Sequence, residues 1–178
     1  MKQQDQSRFP AVAATLKDGR GVVIRPIRTD DGEALADFYA SVPPEDVRFY
    51  SPHPLDRENA FRKAAAADAP FSVVLLAEAA EGRIAGYGWF RWDGDAAPRS
   101  GFGICIRREF QNVGLGGELM ARLNEIARVL GPPVMGLTVQ KANARGVALY
   151  QKMGFRPVRE QLRGGDGEPE YYMERRVR

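Results

Sequence analysis

The feature that most constrains this chain is a glycine-rich stretch that lies between an apolar run and a helical pattern. Three of its residues, Gly114, Gly116 and Gly117, fall within four positions. Upstream, residues 102–106 are mostly apolar and have strand character. Downstream, apolar residues recur at three- and four-residue spacing across residues 118–130. The pattern therefore predicts a strand, a tight turn and a helix in direct succession.

That order has a chemical consequence at the start of the helix. The first N–H groups of a helix have no partner within it, and the helix dipole adds roughly half a positive charge there. Glycines let a bulky anion approach the backbone, because no Cβ stands in the way. The stretch therefore suits a phosphate or pyrophosphate, although a glycine-rich turn without a ligand would use the same residues.

Two common phosphate-binding loops do not match. A Walker loop needs Lys and then Ser or Thr after its last glycine, whereas Gly117 is followed by Glu118. A dinucleotide fingerprint that begins at Gly114 needs its third glycine at position 119, which is Leu119. ATP-dependent and pyridine-nucleotide enzymes are therefore disfavoured.

Length and composition favour one globular domain. The chain has 178 residues, of which 44% are hydrophobic and 28% are charged. We expect residues 1–9 to form a flexible N-terminus and residues 10–178 to form the domain.

Turn, cap and periodicity signals predict helices near 31–40, 47–50, 56–67, 118–130 and 144–153, the first of them capped by Thr29, Asp30 and Asp31. Strands are predicted at 11–16, 22–27, 71–79, 83–92, 101–106, 134–139, 155–163 and 170–177.

Several classes of protein are excluded by what the sequence lacks. No apolar run approaches 18 residues, so we expect no membrane span. The single cysteine, Cys105, excludes an internal disulfide, and the single histidine, His53, excludes a histidine metal cluster. The first residues are polar and lack a signal-peptide core. We therefore expect a cytoplasmic protein without a metal.

The charge balance is mildly basic. A net charge of +3 and a pI near 9.2 fall short of the clustered Lys and Arg of a nucleic-acid-binding surface. We therefore expect no nucleic-acid partner. Four basic residues near the glycine stretch are instead candidates to contact a polyanionic cofactor: Arg107, Arg108, Lys141 and Arg145.

A second motif follows one predicted strand later. Residues 143–155 begin at Asn143, include Leu149 and Tyr150 and end in Gly154 and Phe155. This segment resembles the N-x-x-A-x-x-L-Y-x-x-x-G-F element of the GNAT acetyltransferase superfamily. The glycine stretch from Gln111 resembles the Q/R-x-x-G-x-G/A loop of the same superfamily. The two motifs cover residues 104–155, and the order of elements from 22 to 177 is also similar.

The resemblance implies an α/β (α+β) fold with a mixed, mostly antiparallel sheet of about seven strands and helices on both faces. It further implies an acyltransferase that uses acetyl-CoA as cosubstrate and transfers the acetyl group to a primary amine by direct attack in a ternary complex. In such proteins the strands on either side of the glycine-loop helix splay apart, and acetyl-CoA lies in the gap. A homodimer is left open.

The resemblance also assigns roles to individual positions. Tyr150 is implied to be the catalytic acid that protonates the leaving thiolate. The backbone of Ile104 and Ile106 is implied to bind the pantetheine arm, and Asn143 to contact the cofactor. The pyrophosphate is implied to lie among Gln111, Asn112, Val113, Gly114, Gly116 and Gly117.

Each singled-out side chain also has a structural interpretation. Asn143 suits the N-cap of its helix, and Tyr150 suits an aromatic core position. Cys105 lacks a neighbouring His or Asp in sequence, which favours a small buried strand residue over a nucleophile. His53, between two prolines, is predicted to lie in a loop, where contact with the acceptor is a lesser possibility.

The general base is not identified by the sequence. Many relatives carry a glutamate on the strand before the glycine loop, but residues 100–106 contain no carboxylate. Asp93, Asp95 and Glu78 are the remaining candidates, and a water chain or a partly neutral amine would also serve.

The acceptor is also left open. A narrower similarity of residues 16–19, 24–28 and 110–116 to protein lysine acetyltransferases that modify acyl-CoA synthetases favours a protein amine. A non-catalytic acetyl-CoA sensor is a further alternative, because the strand carboxylate is missing. Acceptor pockets in this fold are built from early helices and loops, here about residues 40–62, which carry no general code.

Overall fold

The computed structural model describes residues 9–50 and 52–178. Most of the segment that we expect to be flexible, residues 1–8, therefore lies outside the described residues. Phe9 is described and packs against the core. Among the described residues, no helix has the length and apolarity needed to cross a membrane.

The elements follow the predicted order. The helices are α1 Gly32–Ala40, α2 Pro44–Val47, α3 Arg57–Ala65, α4 Leu115–Leu130 and α5 Ala144–Lys152. The strands are β1 Val12–Thr15, β2 Gly21–Pro26, β3 Ser72–Glu78, β4 Ile84–Arg91, β5 Arg99–Ile106, β6 Val134–Gln140, β7 Arg156–Leu162 and β8 Pro169–Arg176.

All of these strands belong to one sheet, in the order β1-β2-β3-β4-β5-β6-β8-β7. Neighbouring strands are antiparallel except for β5 and β6, which are parallel. The mixed, mostly antiparallel sheet is therefore confirmed, with eight strands in place of about seven. The short β1, which the sequence predicts as a strand at 11–16, pairs with β2 from Val12 opposite Ile24 to Thr15 opposite Gly21.

Helices cover both faces of the sheet, as expected. Along β3, Val73, Leu75 and Ala77 contribute to a core with α4, whereas Val74 and Leu76 contribute to a core with α1 and α3. Successive side chains of a strand point to opposite faces, so the two cores lie on opposite sides of the sheet. We call the α4 and α5 side the back and the α1 to α3 side the front.

Helix α4 begins three residues earlier than the apolar pattern predicts. Its first turn contains Leu115, Gly116 and Gly117, and Leu115 already belongs to the buried stripe. Gly114 precedes the helix with φ +98°, a conformation that side chains with a Cβ rarely adopt. The glycine stretch is thus partly the first turn of the helix itself.

A buried ion pair connects the N-terminal strands to α1. The Arg25 guanidinium donates to both carboxylate oxygens of Asp31 at 2.7 Å, and its Nε donates to Glu78 at 2.7 Å. The Arg28 N–H donates to Asp31 at 2.6 Å. Asp31 is the N-cap residue of α1, as predicted, but its carboxylate accepts no hydrogen bond from the helix. The reason is that Arg25 and the Arg28 amide occupy both oxygens.

We expect Arg25→Met to destabilise the fold by about 3–5 kcal/mol, because it leaves the Asp31 carboxylate buried without a cation. Urea unfolding at pH 7 measures this loss. The matched control is Arg57→Met, which removes the exposed pair between Arg57 and Glu33. Both of its partners lie in solvent, so the control should lose far less stability.

The same pair predicts a pH dependence. Burial alone would raise the pKa of Asp31, but the hydrogen bonds from Arg25 and the Arg28 amide outweigh it and hold the pKa below its ordinary value. A depressed pKa contributes stability above the unfolded value, near about 4, that is lost as the pH falls. The difference between the parent and Arg25→Met should therefore shrink below about pH 4, and a constant difference would contradict this account.

Candidate active site

The only parallel pair of strands among the described residues separates after a short contact. Pairing of β5 with β6 runs from Arg99 opposite Val134 to Gly101 opposite Gly136. Beyond that point β5 continues to Ile106 and β6 to Gln140 without pairing to each other. The facing strand edges therefore border a cleft, in which backbone N–H and C=O groups are available to an extended ligand.

The glycine stretch lies just beyond the end of β5 in the chain. Asn112 and Gly114 both have positive φ, 63° and 98°, and the Gly114 carbonyl accepts the first helical hydrogen bonds of α4. A Cβ on Gly116 would lie 3.1 Å from Leu149 of α5, whereas a Cβ on Gly117 would meet nothing within 4 Å. Gly116 thus allows α4 to approach α5, and Gly117 borders open space at the positive end of a long helix.

Gln111 connects the cleft to α5. Its Nε2 donates to the Ile106 carbonyl at 3.1 Å, and its Oε1 accepts from Arg145 at 2.9 Å. Arg145 thereby lies beside the glycine stretch. Arg108 instead forms ion pairs with Glu45 and Asp46, at 2.8 and 3.1 Å. Of the four basic candidates, Arg145 is the one that a hydrogen bond ties to Gln111.

The remaining predicted cofactor residues lie along the same edge. Ile104 and Ile106 belong to the part of β5 that has parted from β6, and both pack against the back core. The Val113 carbonyl accepts from the Lys17 N–H at 2.9 Å, which ties the loop to the first hairpin. Asn143 caps α5, because its Oδ1 accepts from the Gly146 N–H at 2.9 Å. Its contact with a cofactor stays a prediction.

Tyr150 reaches the point where the cleft opens. Its ring packs edge-on against Phe102 and Phe155, with centroids 6.1 and 6.0 Å apart. Phe102 is the first β5 residue beyond the last pair with β6. Burial raises the pKa of the Tyr150 phenol above its ordinary value, so the hydroxyl stays protonated at neutral pH. Tyr150 is thus a buried aromatic residue that carries a proton at the cleft, and its acid role stays a prediction.

Cys105 lies on the other face of β5 from Ile104 and Ile106 and packs against the front core. Burial raises the pKa of its thiol to about 12, so the reactive thiolate is not available at neutral pH. This supports its interpretation as a structural residue.

The front face beside Cys105 carries an aromatic cluster that the sequence does not reveal. His53 Nε2 lies 3.1 Å from the Tyr50 hydroxyl and 3.2 Å from the Tyr87 hydroxyl. Trp89 Nε1 donates to the Tyr50 hydroxyl at 2.9 Å. His53 does lie in a loop, as predicted, but its ring is held by residues from α1 to β4 that are far apart in sequence.

A cavity of about 530 Å³ opens beside this cluster. It lies between the end of α2, the part of β6 that does not pair with β5, and the turn that joins β7 to β8. Its lining residues are Val47, Arg48, Tyr50, Thr138, Arg163, Gly164, Gly165, Asp166 and Glu170. Thr138 lies on the opposite face of β6 from Leu137 and Val139, which pack into the back core. The cavity therefore opens on the front of the cleft.

One buried carboxylate in this cavity was missed by the sequence analysis. Glu170 is 5% exposed and accepts a hydrogen bond from Gln161 at 2.6 Å. It lies opposite Gln140 in the pairing of β6 with β8, a register that the sequence does not specify. Arg163 and Asp166, which also line the cavity, form an ion pair with each other.

The three carboxylates proposed from sequence as bases lie elsewhere. Glu78 is held by Arg25 in the buried ion pair. Asp93 and Asp95 are exposed in the connection between β4 and β5. None of the three lines the cavity.

Comparison with known proteins assigns the family. The model of the acetyltransferase (GNAT) family matches residues 34–155. The chain is 32% identical over 88 residues to the L-methionine sulfoximine/L-methionine sulfone acetyltransferase of Pseudomonas aeruginosa, a match that covers 46% of this chain and 49% of that protein. The chain thus matches about half the length of this relative.

Solved structures share the fold over nearly the whole chain. The GNAT domain of PAT from S. lividans aligns with a TM-score of 0.78 at 22% identity, covering 93% of this chain and 96% of that one. The structure of yncA from Salmonella typhimurium, solved with its cofactor acetyl-CoA, aligns with a TM-score of 0.71 at 22% identity, covering 88% and 94%. The family match extends from α1 to the end of the Asn143 motif and includes the cleft and the glycine stretch, so the chain belongs to the acetyltransferase (GNAT) family.

Proposed function

We propose that the protein is an acetyl-CoA-dependent N-acetyltransferase that transfers an acetyl group to the primary amine of a small molecule. The observation that carries the proposal is the parting of β5 from β6 beside a glycine turn at the N-terminus of α4. Membership of the GNAT family and the acetyl-CoA found in yncA support the same cofactor here.

The residues around the cleft fit acetyl-CoA. Open space beside Gly117, at the positive end of the α4 dipole, suits the pyrophosphate. Asn112, Val113, Gly114 and Gly116 form the rest of this turn. The free edge of β5 at Ile104 and Ile106 suits the amides of the pantetheine arm. Arg145 and Asn143, at the start of α5, would border the same ligand.

The bound cosubstrate supplies the acetyl group as an activated thioester. The protein must then position a neutral amine and deliver a proton to the departing sulfur. A phenol with a pKa near about 10 donates to a thiolate near about 8.5 at a cost of roughly 2 kcal/mol. Tyr150 keeps its hydroxyl protonated at the cleft because burial raises its pKa, and the same shift adds to this cost.

The cavity on the front of the cleft favours a small acceptor. Its volume of about 530 Å³ falls in the range of small-molecule sites. The Pseudomonas aeruginosa relative is named for L-methionine sulfoximine and L-methionine sulfone, both small amines. The α-amine of an amino acid also has a lower pKa than a lysine side chain, whose pKa is about 10.4, so it costs less to neutralise at pH 7.

A thiol-release screen tests the proposed function. Purified protein with acetyl-CoA should release free CoA in the presence of small primary amines, amino acids among them, and more slowly with lysine peptides. Product mass should rise by one acetyl group on the amine. Release confined to lysine peptides would favour a protein acceptor, and tight CoA binding without transfer to any amine would favour the sensor.

Tyr150→Phe tests the acid. The variant keeps the ring contacts with Phe102 and Phe155 and removes only the hydroxyl, so kcat should fall roughly 10²- to 10⁴-fold while CoA affinity stays nearly unchanged. Tyr171→Phe, which removes a hydroxyl from β8, is the matched control and should keep its kcat. Full activity in Tyr150→Phe would make this residue a core aromatic only.

Gly117→Asp tests the pyrophosphate site, because it should weaken CoA binding without lowering the stability of the fold. The new carboxylate enters open space in the first turn of α4, where the helix dipole favours it, so the unfolding temperature should not fall. The same charge should repel the phosphates and weaken CoA binding at least tenfold, about 1.4 kcal/mol, in calorimetry.

Gly117→Asn is the neutral control of nearly the same size. It should bind CoA more tightly than the Asp variant, because it adds volume without the charge. Equal CoA affinity in the Asp variant and the parent would mean that the phosphates lie away from this turn.

A further inference from the structure

An acceptor amine must lose a proton before it attacks, and β5 offers no carboxylate to take it. The cleft therefore needs another proton acceptor that opens onto the front cavity. Among the residues that line this cavity, two have a hydroxyl or carboxylate that is buried: Tyr50 and Glu170. They differ in their hydrogen-bond partners: the Tyr50 hydroxyl contacts His53, whereas Glu170 accepts from Gln161.

Behind Tyr50 lies the only histidine of the chain. His53 Nδ1 is 2.9 Å from the Pro54 carbonyl, which has no proton to give, so Nδ1 must carry the proton of that hydrogen bond. In a neutral ring Nε2 is then the acceptor, and the hydroxyls of Tyr50 and Tyr87 lie within donor distance of it, at 3.1 and 3.2 Å. The Tyr50 hydroxyl is the nearer of the two, and Tyr50 is the one that lines the cavity.

The Tyr50 oxygen is still able to accept. A hydroxyl has one proton and two lone pairs. The proton is directed to His53 Nε2, and one lone pair receives the N–H of Trp89 at 2.9 Å. A donor from the cavity would share the second lone pair with the neighbouring Tyr87 hydroxyl. A protonated amine is such a donor, directly or through one water.

We propose that Tyr50 and His53 form a proton relay that deprotonates the acceptor's ammonium group and replaces the carboxylate that β5 lacks. The inference rests on the proposed N-acetyltransferase function. In the step, an ammonium N–H bond breaks and its proton binds the Tyr50 oxygen, while the Tyr50 proton moves to His53 Nε2. The amine becomes neutral and the imidazole becomes cationic, so charge and protons balance.

The surroundings of His53 favour release of that proton. The groups that face the ring are Tyr39 from α1, Lys63 from α3, Tyr87 and Arg91 from β4, and Asp56 from its own loop. Burial lowers the pKa of His53, and Lys63 and Arg91 lower it further. The hydrogen bond to the Pro54 carbonyl and the charge of Asp56 oppose them without cancelling the shift. The ring is half-buried, so the imidazolium can pass its proton to solvent and return to its neutral form.

The test compares pH profiles of kcat/KM, measured by CoA release with the best amine of the screen. His53→Gln keeps a polar side chain but cannot take up a proton, and Tyr50→Phe breaks the relay at its other member. Each should lower kcat/KM about 10²-fold at pH 7. The deficit should shrink as the pH approaches the pKa of the amine, because neutral amine then forms without a base. The double variant should be no slower than the slower single variant, since a relay works as one unit.

Two controls isolate the relay. Tyr39→Phe removes a hydroxyl from the same aromatic cluster but not from the hydrogen bond between Tyr50 and His53, so its pH profile should match the parent's. Glu170→Gln neutralises the other buried group of the cavity. If Glu170→Gln changes the profile and His53→Gln does not, the carboxylate is the base and the relay is wrong.

A readout independent of turnover comes from NMR. Because the chain has a single histidine, ¹⁵N shifts of its imidazole identify the tautomer without assignment. At neutral pH we expect a proton on Nδ1 and none on Nε2, and Tyr50→Phe should perturb the Nε2 signal. A proton on Nε2 would overturn the relay.

The outcomes also separate the two proposals. Acetyl transfer by the parent with an unchanged pH profile in His53→Gln overturns the relay and leaves the proposed function standing. No transfer to any amine overturns the proposed function, and the relay with it.

Discussion

Two neighbouring strands that stop pairing leave backbone donors and acceptors without partners, and much of this structure serves to keep that opening in place. The parallel contact between β5 and β6 is only three residue pairs long. On the back, Tyr150, Phe102 and Phe155 pack where the strands separate. At the far end Gln111 joins the Ile106 carbonyl to Arg145 of α5. Packed aromatic rings at one end of the cleft and hydrogen bonds at the other therefore hold β5 and β6 apart. The strand edges are thus open before a ligand binds.

The parts of the site that are contiguous in sequence were predictable. The turn from Gln111 to Gly117 and the helix after Asn143 each combine local signals, namely glycine conformation, helix capping and apolar spacing, that do not depend on distant residues. Even here local rules had limits. The apolar stripe predicted the start of α4 too late. Asp31 is the N-cap residue of α1, but its carboxylate does not bond to the helix because Arg25, six residues earlier, pairs with it.

The front of the cleft was not predictable, because it is assembled from separate elements. Tyr50 and His53 come from the segment after α2, Trp89 from β4, and Glu170 from β8. Their proximity depends on sheet order and register, and a slip of one residue in β8 would turn Glu170 to the back. Sequence spacing holds no information on such contacts. The same reason explains why Glu78 appeared free in sequence although Arg25 occupies it.

β5 contains no carboxylate, and on its front face a large side chain of the neighbouring strand β4 takes up the space. The Trp89 indole lies over β5, and a Cβ on Gly103 would come within 2.6 Å of it. A side chain at that position would displace the indole, whose N–H holds the Tyr50 hydroxyl. The indole thus occupies the front of β5 and at the same time orients the first member of the relay. Tyr150 instead reaches the opening of the cleft from α5 on the back, so the proposed proton acceptor Tyr50 and the proposed acid Tyr150 lie on opposite sides of the sheet. Such a separation lets each phenol keep its own protonation state, because neither hydroxyl hydrogen-bonds to the other.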